Sequence, residues 1–281
     1  MFERPSPLRR RVRLASERIP PARAAYRLGL IAHHRRMAAS RPRDAAWYVL
    51  HSRELTNFTY ELRNEAELAA LVAGPLGDDE DRAGRYLREL REDTELIERL
   101  DQGLRSDPRR DGVARLGKRR ALYVTVRMAR PRLVVETGLY DGLATAVMLR
   151  ALQRNEAEGD PGRLLGFDLE EESAWLVWDE LGRGRFERHI GDAVDLIPRT
   201  LGGERIDFLV HDTDKVAESE RAELELAVEH GAERLILYTD DDSVTGTLRT
   251  LCAERGGRGE FIWEQPERHF WRGNLLGVCV V

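Results

Sequence analysis

The chain has 281 residues, 34% of them charged, and a formal net charge of −5. That length suffices for one large domain or two modest ones, with a core that needs neither disulfides nor metals to fold. No apolar run reaches the roughly 18 residues of a membrane span, and the N-terminus lacks the apolar core of a signal peptide. Cys252 and Cys279 show no metal-type clustering and point to a reducing compartment, so a cytoplasmic protein is expected.

The charge is unevenly spread. Residues 1–43 hold about a dozen arginines against Glu3 and Glu17. This arm reads as a solvated leader or as a weak contact with an anionic membrane surface. It has no zinc-finger spacing and no aromatic RNA-binding motif, so nucleic acid is not an expected partner. Lys118 and Lys215 are the only lysines, which reads as a coding bias toward arginine.

Up to Asp111 the pattern is helical, with candidate helices at Pro21–Ala39, Glu65–Ala73, Asp79–Glu92 and Asp93–Leu104. Ala83, Tyr86, Leu87 and Leu90 give the third of these one apolar face. Ser106–Gly112 reads as a linker. A basic arm and helical extension over 1–112 and a second domain over 113–281 are therefore expected. In the second part a helix over Leu116–Ala129 stops before Pro131. Short β-like runs then alternate with helices: Leu133–Glu136, Leu164–Asp168, Arg185–Ile190, Phe208–His211 and Leu235–Thr239. The alternation predicts βαβ units in a parallel sheet. Glu260–Glu264 and Leu275–Val281 follow with no helix between them, so they pair antiparallel.

The most informative segment runs from Val134 to Thr145. An apolar strand ends in the acid Glu136, and a loop with Thr137, Gly138 and Gly142 then opens a helix. The glycines permit a tight turn and a close ligand approach, and the helix N-terminus directs amide donors at the ligand. The spacing is E-x-G-x-x-x-G, neither the G-x-G-x-x-G of dinucleotide sites nor a P-loop. The acid before the glycines suits a cationic cofactor. An ordinary strand-to-helix turn is the plainer alternative.

This segment resembles the cofactor motif of class I S-adenosylmethionine-dependent methyltransferases, close to the small-molecule O-methyltransferase branch. Thr145 matches the motif's last position, while Ala144 replaces the usual serine and loses its hydroxyl. The resemblance covers roughly Arg119–Val281 and implies a Rossmann-like α/β sheet: parallel strands closed by an antiparallel terminal pair, with an N-terminal helical extension. It implies cofactor contacts from Glu136, Thr137, Gly138, Gly142 and Thr145. Asp168, at the end of the second run, would accept the ribose hydroxyls. Asp192 and Ala193, in a G-D-A segment, would meet the adenine. Tyr123 and Arg127, on the helix before the first strand, are candidates to border the cofactor, and Trp175 and Trp178 to cover it.

The fourth run ends in His211-Asp212-Thr213-Asp214-Lys215 and the fifth in Tyr238-Thr239-Asp240-Asp241-Asp242. Parallel strands end at one sheet edge, so these acids converge. Clustered carboxylates require a cation or protons, and oxygen ligands suit Mg²⁺ or Mn²⁺. Metal-dependent O-methyltransferases have such acids. The resemblance makes Asp212, Asp240 and Asp241 metal ligands, and Asp212 or Lys215 the group that removes the acceptor's proton. Alternatives stay open: His211 as base of a metal-free site, or Asp240–Asp242 as a solvated turn capping the next helix. The expected activity is methyl transfer to a hydroxyl of a small molecule, a sugar or secondary metabolite. Nitrogen methylation and an inert fold serving as a membrane-surface scaffold are the competing readings. Asn57–Leu62 and His269–Arg272 are candidate acceptor-pocket segments, and the helical extension is a candidate dimer contact.

Overall fold

A computed structural model of the chain describes residues 20–52, 59–107 and 109–281. The first nineteen residues of the basic arm lie outside them, as do Asn57 and Phe58. The described helices are α1 (Pro20–His33), α2 (Arg35–Ser40), α3 (Pro42–His51), α4 (Glu67–Leu76), α5 (Glu80–Arg91), α6 (Thr94–Leu104), α7 (Arg119–Ala129), α8 (Leu143–Ala157), α9 (Asp179–Gly182), α10 (Ala193–Thr200), α11 (Ala217–His230), α12 (Asp242–Thr245) and α13 (Thr247–Glu254). The strands are β1 (Leu133–Thr137), β2 (Arg163–Asp168), β3 (Phe186–Ile190), β4 (Ile206–His211), β5 (Gly231–Thr239), β6 (Arg258–Trp263) and β7 (Leu275–Val280).

The chain divides into two compact units. The larger comprises Glu65–Thr94, Lys118–Trp263 and Asn274–Val281 and holds one seven-stranded sheet of order β3-β2-β1-β4-β5-β7-β6. β1 to β5 are parallel, and β7 runs antiparallel to both β5 and β6. The sheet is thus the Rossmann-like methyltransferase arrangement that the run pattern predicts. β1 is buried along its whole length, as a central strand covered on both faces must be. β3, at one edge, exposes the consecutive charges Glu187 and Arg188, which discourage further strand pairing. On one face Val135, Leu165, Phe167, Leu209 and Leu237 pack with Ile197, Leu224 and Leu251 of the covering helices. α7 ends where Arg130 turns left-handed, at φ 51°, before Pro131.

α4 and α5 belong to this unit, so the compact units do not follow the expected boundary at residue 112. α4 packs on β6 and α5 on α7. The cysteines also differ from expectation: Cys252 on α13 and Cys279 on β7 are joined in a disulfide.

The second unit comprises residues up to Asn64, Glu95–Gly117 and Glu264–Gly273. The expected helix Pro21–Ala39 is broken at His34 into α1 and α2. His34 faces Phe270 and Trp271, and Ala38, Ala45, Tyr48 and Phe270 form the small core. Among the described residues no helix is long and apolar enough to cross a membrane.

Candidate active site

Register decides what meets at the sheet edge. Thr137 on β1 lies opposite His211 on β4, and His211 opposite Thr239 on β5. The next residue of each strand is therefore Gly138, Asp212 or Asp240, all leaving the carboxyl ends side by side. The close approach requires glycine: Gly138 has φ 83°, and a Cβ there would collide with the Asp212 carbonyl oxygen. Gly142, also at φ 83°, lies against the Ala174 backbone and precedes the first turn of α8.

Around this loop the expected cofactor residues take distinct places. Asp168 ends β2 beside it, and its Oδ2 accepts the N–H groups of Leu139 and Tyr140 at 2.8 and 2.9 Å. Its Oδ1 accepts from Glu170 at 2.9 Å. Glu136 is fully buried. Its Oε2 accepts from Thr145 Oγ1 at 2.7 Å, and its Oε1 has no hydrogen-bond partner among the described residues. Burial pushes this carboxyl up to about 8, so it is protonated at neutral pH until a cation faces it. Thr145 acts on Glu136. Asp192 caps α10 by accepting the Val194 N–H at 2.9 Å, with buried Ala193 next to it. Trp178 lines a cavity of about 380 Å³ with Phe186 and Arg188, while Trp175 is exposed.

Three sets of expected site residues turn their side chains elsewhere. Thr137 and His211 turn onto α11: both bond to Glu223, the histidine through Nδ1 at 2.8 Å. His211 is fully buried, so it is not placed to act as a base in the cleft. Asp241 is committed elsewhere. Its Oδ1 accepts Ser243 N–H at 3.2 Å and Ser243 Oγ at 2.5 Å, capping α12, and also Leu275 N–H at 3.2 Å. Tyr123 and Arg127 likewise turn to Glu89 on α5, at 2.5 and 2.8 Å.

The acidic cluster keeps Asp212 and Asp240, and two lysines neutralise it. Lys215 donates to Asp240 Oδ1 and Lys118, just before α7, to its Oδ2. The same ammonium groups lie 3.9 and 3.7 Å from Asp212. The only two lysines of the chain thus meet on one carboxylate. Sequence reasoning missed Lys118; its rarity among arginines was the signal. A compact ammonium fits between two carboxylates where a forked guanidinium does not. Burial opposes ionisation of Asp240, but Lys118 and Lys215 outweigh it and hold this carboxyl below its ordinary range. Burial, and then the charge of Asp240, raise Asp212. The two therefore titrate as a pair, one ionised and one poised. The Asp212 side chain keeps 27% of its surface exposed, against 7% for Asp240. Among the described residues no group of three or more His, Cys, Asp or Glu is arranged to hold a metal. The donor set does not fit the expected ion, because two ammonium groups stand where its charge would be.

Residues 135–241 match the family described as a methyltransferase domain. Among solved structures, the O-methyltransferase TomG of Streptomyces achromogenes, involved in tomaymycin synthesis and solved with S-adenosylmethionine, superposes with a TM-score of 0.51. It shares 18% identity over 68% of this chain and 91% of that one. A methyltransferase from Geobacter sulfurreducens gives a TM-score of 0.50 at 22% identity, over 71% of this chain and 97% of that one. No curated protein matches the chain. The fold, with its glycine loop at the carboxyl edge, is the one these methyltransferase structures share. Residues 135–241 thus carry a methyltransferase domain on that fold.

Proposed function

We propose that the chain methylates a hydroxyl of a small molecule and does so without a divalent metal, with Asp212 as the base. The observation that carries this reading is the Lys118–Asp240–Lys215 cluster beside Asp212. When bound, S-adenosylmethionine supplies an electrophilic methyl group and leaves as the neutral thioether. Glu136, Gly138 and Gly142 hold its amino-acid end, Asp168 its ribose, and Asp192 with Ala193 its adenine. Thr145 fixes Glu136 for that contact. Asp212 removes the acceptor's proton as the oxygen attacks the methyl carbon. A carboxylate raised by burial and by Asp240 is a stronger base than an ordinary one. Lys118 and Lys215 lower the cost of the negative charge that develops on the oxygen.

The test is methyl transfer from labelled S-adenosylmethionine to a panel of hydroxylated small molecules. The wild type gives an O-methyl ether. Its rate rises with pH along a limb above the ordinary carboxylate range, because Asp212 works only when deprotonated. Asp212→Asn lowers turnover by about 10²–10⁴ with little change in cofactor affinity. An N-methylated product, or full activity in Asp212→Asn, overturns the reading.

A further inference from the structure

The unit containing the N-terminal helices encloses a pocket of its own, of about 170 Å³. Thr59–Glu61 and Glu267–His269 form much of its wall. These segments are tied by the bridge between Leu62 and Pro266 and by the bonds Arg63 N to Gln265 O, at 2.9 Å, and Glu267 N to Glu61 O, at 2.7 Å. Arg41 fastens the second segment by donating to the carbonyls of Pro266 and Trp271.

The lining is aromatic. The Tyr48 and Tyr60 rings stand 4.7 and 5.3 Å from the His269 ring, and Arg268 lies over Trp47 at 5.5 Å. The size suits one ring, since a cavity of about 150 Å³ accommodates a benzene. The four charged residues of the lining, Glu61, Arg115, Glu267 and Arg268, sum to zero, with Arg115 paired to Asp111 at 2.7 Å and Arg268 to Glu267 at 3.3 Å. No net charge therefore calls for an ionic ligand.

Among the described lining residues, one buried side-chain polar atom has no hydrogen-bond partner. His269 is 4% exposed, and its Nδ1 accepts the Trp271 N–H at 3.0 Å. A neutral imidazole that accepts at Nδ1 carries its proton on Nε2. That Nε2 is buried and has no hydrogen-bond partner among the described residues. Burial, followed by the charges of Arg41 and Arg115, pushes the ring down to about 3, so the donor is uncharged at neutral pH. A buried donor without an acceptor is costly, and His269 is one of the residues that line the pocket.

We propose that this pocket binds an uncharged single-ring aromatic compound carrying a hydrogen-bond-accepting oxygen, which takes the Nε2–H of His269 while its ring packs among Trp47, Tyr48 and Tyr60. The experiment measures binding of acetophenone to the full chain by calorimetry. Isopropylbenzene, of similar shape but without the oxygen, and benzoate, which is charged, serve as comparisons. Acetophenone binds at least about tenfold more tightly than either, and His269→Phe removes that preference while leaving isopropylbenzene unaffected. In the wild type, the Nε2–H proton resonance of His269 shifts with acetophenone and not with isopropylbenzene, which decides the matter even if the variant does not fold. Absent binding of acetophenone, equal affinity for isopropylbenzene, tighter binding of benzoate, or a preference that survives in His269→Phe overturns the assignment. No methyl donor is needed, so the outcome is separate from that of the methyl-transfer reading.

Discussion

Glu136 shows how one buried carboxyl couples cofactor and stability. Its folded-state pKa of about 8 lies above the ordinary glutamate value of about 4.3. Between these values the native chain holds a proton that the unfolded chain has lost. The group's contribution to stability is therefore complete at low pH and declines as pH rises through that window, by up to about 1.4 kcal/mol per pH unit. Urea unfolding of the cofactor-free protein checks this: the wild type loses stability relative to Glu136→Gln between pH 5.5 and 7.5. Saturation with S-adenosylmethionine reduces the loss, because its cationic groups favour the ionised carboxylate. A difference between the two proteins that does not vary with pH would show that Glu136 is ionised throughout.

The same scale explains what could be read of the site. Asp212 and Asp240 were legible because each follows a parallel strand, and topology brings such positions together. Asp241 was not. It lies one residue further on, and a single step reverses the side-chain direction, sending it to cap α12. His211 is subject to the same alternation, which turns it onto α11. Lys118 was hidden by sequence distance, standing 122 residues from its partner Asp240.

Among elements, the strands were the most legible, because the central ones pair an apolar run with a turn signal. Their ends shifted by a few residues, as with β5, which begins at Gly231 rather than Leu235. The arginine-rich N-terminal pattern was harder. Charged residues there cover the face that would set the period, and α3 went unread. The assignment of α4 and α5 to the helical extension followed chain order, whereas packing on β6 and α7 decides it. The glycine loop is the element on which the site turns. Gly138→Ala places a side chain at φ 83° against the Asp212 carbonyl. The left-handed backbone alone costs about 1–3 kcal/mol, and the collision adds to it. The urea midpoint of that variant falls accordingly, and its cofactor affinity drops. A variant as stable as the wild type would mean that the loop relaxes freely.

At the scale of the whole molecule, the methyltransferase-domain match and the glycine loop fall in the larger unit, and the proposed metal-free transfer rests on the charge arrangement at its carboxyl edge. Three aspartates in sequence suggested an ion. In the folded chain one of them leaves the cluster, and both lysines of the molecule enter it. The positive charge is then covalently part of the protein. The most direct measurement is methyl transfer by protein dialysed against EDTA, compared with the same protein after Mg²⁺ or Mn²⁺ is added, for the wild type and for Lys118→Met. The lysine account predicts an unchanged wild-type rate in EDTA, no stimulation by either ion, and at least about a tenfold loss in Lys118→Met, a loss of transition-state stabilisation of about 1.4 kcal/mol or more. Wild-type activity that disappears in EDTA and returns with Mg²⁺ would contradict it.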